Sequence, residues 1–313
     1  MPTQPDLLAV VNAAAGSAGG PQVDDAVAAL RAAAGHAGAR VELVATTDLD
    51  HLADTLAGLA GRRLVVLGGD GSVRAAVQTL HDAGTLGSAG PVGIVPLGTG
   101  NDLARSLGIP DDPARAADAA LTGTPHGMAV LVGDDGAVAV NAVHVGVGAA
   151  AARNAAGLKP VLHRVGLGVL AYPAGAVLAG LTERGWRLRV TVDGEPLHAG
   201  GTRLLMVAIG LGETVGGGAP LVPGADPRDA VADVVVSEAV GPLARLGYAK
   251  QLTTGSHVRR ADVRTACGRV VRIEAAPGEP FPADVDGEVS GPVAAQQWRL
   301  HPAAWSALVP AAS

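Results

Sequence analysis

Leu64-Val65-Val66-Leu67-Gly68-Gly69-Asp70-Gly71-Ser72 is a short apolar run that breaks into a glycine-rich turn carrying a single carboxylate. The run reads as a buried strand, and the residues from Ser72 to His81 repeat apolar side chains at helical spacing. A glycine turn between a strand and a helix aims successive backbone N–H groups at one point with the helix dipole behind them, an arrangement that stabilises an anion. Asp70 would repel a bare phosphate, so within such a cradle its task is to hold Mg2+, directly or through water. The same spacing also fits a tight strand-to-helix turn with Asp70 as a cap.

Working outward, Pro96-Leu97-Gly98-Thr99-Gly100-Asn101-Asp102-Leu103-Ala104-Arg105 repeats the design after the next apolar run, Val92 to Val95. Neither loop carries the Lys-Ser/Thr ending of a phosphate-loop NTPase, which argues against that class. Leu7 to Val11 and Val41 to Ala45 read as further strands, with helices from Pro21, from Asp48 to Leu59, and from Asn101 to Leu107. Strands alternating with helices over short loops predict an α/β domain with a parallel sheet, which takes its ligands at the strand C-terminal ends. From about Met128 the pattern becomes short β-prone segments: Met128 to Val132, Val138 to Val145, Trp186 to Val192, Leu204 to Ile209, Val231 to Ser237, Val258 to Ala266 and Arg269 to Ile273. Only Leu158 to Leu181 and Pro242 to Leu252 read as helical among them. A β-rich, mainly antiparallel C-terminal domain is therefore expected. The expected limits are 1–126 for the nucleotide-binding domain, with 297–313 packing back on it, and 127–296 for the acceptor domain.

The two loops together resemble the diacylglycerol kinase catalytic family, which includes bacterial lipid kinases and sphingosine kinases. Its first loop ends in Thr where this chain has Ser72, and its second loop matches Pro96 to Arg105. Asn12 with Gly16 and Ser17 is similar to the family's N-terminal loop, with Ala13 in place of proline. Asn141 to Gly148, Gly216-Gly217-Gly218 with Pro223, and Asp286-Gly287-Glu288 are similar to its later motifs. The resemblance implies an ATP- and Mg2+-dependent lipid kinase acting on a diacylglycerol-type hydroxyl. ATP would lie along Asn12, Ser17, Gly68, Gly69, Asp70, Gly71, Ser72, Gly98, Thr99 and Asn101, with Asp70 as the metal residue.

Phosphorylating a hydroxyl requires an oxygen positioned to accept its proton. The resemblance assigns that part to Asp286, with Glu288 orienting it or joining the metal network. From its residues alone, Val285 to Glu288 is equally a hairpin turn, because Asp-Gly is a strong turn signal. Asp193-Gly194-Glu195 has the same form and reads as a plain hairpin. The chain departs from the family at Ala149 to Ala151, where an acidic residue is common, and at Ala230, where glycine follows the aspartate. NAD kinases and phosphofructokinases share a Gly-Gly-Asp-Gly loop on a similar sheet, so an NAD kinase-like enzyme is one rival. A non-catalytic lipid-binding member is the other. A Rossmann oxidoreductase is disfavoured, because no acid follows Gly146 to Ala151 at the required distance.

The 313 residues carry a net charge of -6 with only two lysines, Lys159 and Lys250, which argues against a nucleic-acid partner. The single Cys267 excludes an internal disulfide, and the N-terminus has no basic segment ahead of an apolar one. A cytoplasmic protein, peripheral at the inner membrane surface, is expected, with a homodimer left open. Val165 to Leu181 is the candidate for acyl contact, with core packing as the competing reading. The nine histidines show no metal-ligand spacing and read as surface or satisfied structural residues.

Overall fold

In the computed structural model, which describes residues 5–13, 20–146 and 184–311, the apolar runs of the first half form four strands: β1 (Leu7–Asn12), β2 (Val41–Thr46), β3 (Arg63–Gly68) and β4 (Pro91–Pro96). They lie in the order β2-β1-β3-β4, all parallel. Leu64 to Leu67 are buried without alternation, as expected of a strand covered on both faces. The register pairs Val11 with Leu67 and Gly68 with Pro96, so Asn12, Gly68 and Pro96 end along one edge of the sheet.

The helices are α1 (Pro21–Ala37), α2 (Leu49–Ala57), α3 (Asp70–Asp82), α4 (Asp102–Ser106) and α5 (Pro113–Thr122). α2 and α5 are capped by Asp48 and Asp112, whose carboxylates accept the His51 and Arg115 N–H groups. α3 starts two residues earlier than the periodicity suggested, because Gly69 is the N-cap and places Asp70 and Gly71 in the first helical turn. α5 had no apolar stripe to announce it, since its buried residues are four alanines and Leu121 in a chain rich in alanine everywhere. The chain leaves this unit through β5 (Thr124–Gly133). The unit runs to Val130 and takes in the residues from Pro302 onward.

The second unit, Leu131–His301, is built from antiparallel strands. One sheet has the order β12-β11-β10-β7-β14-β15, formed by Val263–Gly268, Ala232–Ser237, Met206–Gly210, Ala142–Gly146, Ala283–Val285 and Glu288–Val289. The rest of the unit's strands are β6 (Val138–Ala139), β8 (Leu188–Val192), β9 (Glu195–Ala199), β13 (Val270–Ala275) and the first part of β16 (Ala295–Val309). β16 pairs with β13 through Ala295 to Arg299, and its later residues Ser306 and Ala307 pair in parallel with β4 in the first unit. The expected strand from Val258 starts only at Val263, because Ser256–Arg259 forms a 3-10 turn. α6 (Pro242–Leu252) lies on the six-stranded sheet, with Ala244, Tyr248 and Leu252 against Met206, Ala208, Val235 and Val263. The Leu158 to Leu181 region, Gly16, Ser17 and Gly148 to Ala151 lie outside the described residues. Among the described residues no helix is long and apolar enough to cross a membrane.

Candidate active site

The two glycine loops of the first unit are joined at their backbones. A Cβ on Gly69 would sit 2.9 Å from the Cα of Gly98, and one on Gly98 would sit 2.6 Å from the Cα of Gly69. Both distances lie below any real carbon contact, so the approach is open only to glycine on each side. Asp70 locks the junction: its Oδ2 accepts the Asp102 N–H at 2.9 Å and its Oδ1 accepts the Leu103 N–H at 3.0 Å. Burial lifts the Asp70 carboxyl above the ordinary carboxylate range, against those two donors, which pull it down. Asn101, with φ at +51°, closes the second loop on itself by accepting the Gly98 N–H and donating to the Gly98 carbonyl. Arg105, which the motif contains but which had no assigned task, donates to Asp102 and to the Gly100 carbonyl.

This arrangement divides the two helix N-termini. Asp70 occupies the first N–H groups of α4, whereas those of α3 at Asp70 and Gly71 have no partner inside their own helix. An anion is therefore favoured at the start of α3, beside Gly68, Gly69 and Ser72. Asn12 is exposed at the end of β1, and Thr99 is exposed in the second loop. For a metal, no three His, Cys, Asp or Glu side chains cluster among the described residues. Mg2+ commonly takes one or two protein carboxylates and leaves the rest of its shell to water and phosphate oxygens. The donors present fit it in that manner, as a companion of a nucleotide, with the carboxylates of Asp70 and of its neighbour Asp102 close to the loops.

In the second unit Asp286 and Gly287 form the two-residue turn between β14 and β15, with φ of +50° and +91°. The hairpin reading is thus correct, and it coexists with an unusual side-chain position. The Asp286 carboxylate accepts the N–H groups of Val140 at 2.7 Å, Asn141 at 3.0 Å and Ala142 at 2.8 Å. Its own N–H donates to the Ala142 carbonyl. Asn141 is buried and donates through Nδ2 to the Thr214 carbonyl beside the Gly216–218 loop, while its Oδ1 has no hydrogen-bond partner. Glu288 lies on β15 opposite Val285 and is exposed.

Behind this turn lies a pair that the spacing of histidines did not reveal. Asp284, 1% exposed, accepts the Gly287 N–H at 2.7 Å, and His144 Nε2 lies 3.5 Å from the same oxygen. The two residues face each other because β7 and β14 place them in register. Burial holds His144 below the usual histidine range, opposed by the Asp284 carboxylate, and its Nδ1 is unpartnered. His257 is also buried with an unpartnered Nδ1, so these two histidines are not the satisfied structural residues expected. Period-2 alternation in Val143 to Val145 and in Ala283 to Val285 was the one signal that could have placed His144 and Asp284 on a common face.

Residues 6–132 match the diacylglycerol kinase catalytic domain, and residues 141–309 match the YegS C-terminal NAD kinase beta sandwich-like domain. A probable lipid kinase YegS-like from Stenotrophomonas maltophilia is 31% identical, over 76% of this chain and 75% of that protein. A diacylglycerol kinase from Mycobacterium tuberculosis is 30% identical over the same shares. Among solved structures, a diacylglycerol kinase from Bacillus anthracis superposes with a TM-score of 0.76 at 21% identity, over 99% of this chain and 98% of that one. An NAD kinase from Archaeoglobus fulgidus in complex with ATP gives 0.50 at 13% identity, over 97% and 92%. These two likenesses establish the fold: a parallel α/β unit followed by an antiparallel β-rich one. With both domain models matched along its length, the chain belongs to the diacylglycerol kinase catalytic-domain family of kinase-type phosphotransferases.

Proposed function

We propose that the protein is an ATP-dependent lipid kinase that transfers the γ-phosphoryl group to a lipid hydroxyl of the diacylglycerol type. The observation that carries this reading is the junction of Gly69 with Gly98, locked by Asp70. It fixes two glycine loops as one platform and leaves the start of α3 for phosphate. A platform that does not reorganise during transfer is what phosphoryl transfer asks of a protein, since catalysis there rests on positioning and charge stabilisation. Mg2+, bound with ATP, would neutralise charge on the phosphate oxygens. Asp286 accepts the proton of the lipid hydroxyl, the part the family resemblance assigns to it. Asn141 Oδ1, an orphaned buried acceptor next in line, supports a polar ligand group at this place. Glu288 serves the same end of the molecule from β15.

One observation favours the non-catalytic rival: Asp193 is held by backbone N–H groups in much the same way as Asp286, in a turn with no assigned chemistry. The test is incubation of the pure protein with labelled ATP, Mg2+ and a panel of diacylglycerol, sphingosine, phosphatidylglycerol and NAD. Label in diacylglycerol is the expected result. Label in NAD alone moves the chain to the NAD kinase reading, and label in none of them leaves only the binding reading.

A further inference from the structure

α6 has two apolar faces and only one of them is covered. Ala244, Tyr248 and Leu252 face the core, spaced four residues apart along one stripe. Leu243 and Leu246 point the other way and are 84% and 68% exposed. Lys250 follows on the same outer face one turn after Leu246, and it too is exposed. Among the described residues the large exposed apolar side chains are Leu49, Val231, Leu243 and Leu246, so half of them sit within one turn of this helix. Inward packing is already complete without them, so the fold does not account for two leucines in water.

The charge around them is equally uneven. The chain carries -6 in total, yet from Ala239 to Ala261 there is no carboxylate, while Arg245, Lys250, Arg259 and Arg260 all fall there. Arg260 is paired with Asp262, and Arg245 donates to the Val240 carbonyl. Lys250 and Arg259 are exposed, and the Ser256–Arg259 turn packs beside α6. Adjacent leucines followed on the same face by Lys250, with the exposed Arg259 on the turn packed beside the helix, in a carboxylate-free stretch of a protein otherwise negative, are complementary to a surface that is apolar beneath and anionic on top.

We infer that the outer face of α6 docks on the surface of an anionic lipid bilayer, with Leu243 and Leu246 entering the headgroup boundary and Lys250 and Arg259 against the lipid phosphates. The inference rests on the lipid-kinase reading for its purpose but not for its test. Binding of the full chain is measured to vesicles of phosphatidylglycerol with phosphatidylcholine, and to phosphatidylcholine alone. The wild-type chain binds the anionic vesicles preferentially, and the preference fades at raised salt. Leu243→Ser with Leu246→Ser weakens binding about tenfold or more, from the apolar surface no longer inserted. Lys250→Glu with Arg259→Glu weakens it about fivefold per charge and removes the salt dependence. Thermal melts of each variant report whether it is folded, and the charge variant stands in if the leucine variant is not.

Equal binding to both vesicle types, or unchanged binding by folded variants of both kinds, overturns the inference. So does a wild-type dimer in solution that the leucine substitutions convert to monomer, since a second copy would then cover the face. Transfer from ATP to a short-chain diacylglycerol in monomeric solution is assayed separately. Its absence strikes the lipid-kinase reading and leaves the vesicle result to stand or fall alone.

Discussion

Asp193-Gly194-Glu195 and Asp286-Gly287-Glu288 are the same device built twice. Each joins two antiparallel strands through a two-residue turn with positive φ at both positions: +49° and +89° in the first, +50° and +91° in the second. Each aspartate donates its N–H to a carbonyl on a neighbouring segment, Val270 or Ala142, and each carboxylate accepts N–H groups from that segment. The captured aspartate is therefore first of all a tether that ties a hairpin to the adjacent backbone. What separates the turns is what stands behind them. Asp193 is exposed, whereas the Asp286 turn has a third donor, the orphaned Asn141 Oδ1, and a second carboxylate, Asp284, buried against His144. A buried carboxylate is costly unless paired, and the Asp193 turn shows that the tether does not need one. The extra polar groups are the difference on which the role proposed for Asp286 rests.

Replacing each aspartate with asparagine tests that difference most sharply. Asp286→Asn is expected to lower phosphoryl transfer by about 100-fold or more, the ordinary effect of losing a proton-accepting group, with the fold retained. Asp193→Asn is expected to leave the rate within about twofold and lose about 1 kcal/mol of stability from weakened hydrogen bonds. Parallel rate assays and thermal melts decide it, and equal losses of rate in the two variants would reduce both aspartates to tethers.

Both turns were legible from their Asp-Gly pairs, a local signal, whereas what their carboxylates hold was not. The strands at Leu7, Leu64 and Val92 were legible because four or more consecutive buried residues leave few alternatives, and the helix Pro242 to Leu252 was bounded by Pro242 and the end of its apolar stripe. The pairing of Gly69 with Gly98 was not legible, because a close backbone approach is a tertiary fact with no periodicity. Asp70 was read as a metal residue or a cap for its own helix. The cap reading named the wrong helix: the carboxylate caps α4, 32 residues on, which the parallel register of β3 and β4 brings close. The carboxylate capture by Asp193 and by Asp286 was equally hidden, since the donors lie 76 and 146 residues away in sequence.

Asp70 extends the comparison to the first unit, where it too is a carboxylate holding two backbone N–H groups. Asp70→Asn keeps one acceptor oxygen but turns an NH2 toward the other donor, leaving a buried N–H unsatisfied at a cost of about 1–3 kcal/mol. Because the clamp also fixes the platform at the start of α3, we expect the KM for ATP to rise about tenfold while the KM for the lipid is unchanged. A loss of stability with both KM values unaltered would make Asp70, like Asp193, a tether alone.

The glycines of the two turns give a smaller, symmetrical test. A Cβ at either Gly194 or Gly287 meets nothing within 4 Å, so alanine there costs only the strain of its positive φ. That strain is about 1 kcal/mol in each case. Equal falls in melting temperature are expected from Gly194→Ala and Gly287→Ala, with a lower kcat only in the second. A lower kcat in both would mean that the rate follows stability and not the Asp286 turn.

His144 provides the finest distinction, because it stands behind one turn and not the other. Burial sets its folded pKa below the unfolded value of 6.5. The stability it contributes is therefore complete above pH 6.5 and is lost as pH falls through the lowered folded value, where the folded protein must bury a charged imidazolium. The Asp284 carboxylate offsets part of that cost, and protonation would draw its oxygen from the Gly287 N–H toward His144. Hydrogen-exchange protection, corrected for intrinsic rates, should then fall below about pH 6.5 at Ala283 to Val289 and hold steady at Val190 to Pro196. His144→Asn should remove the contrast by removing the titrating ring. If both turns lose protection together, the change is a global one to which His257, also buried and held low, contributes, and the Asp284–His144 pair has no private hold on the Asp286 turn.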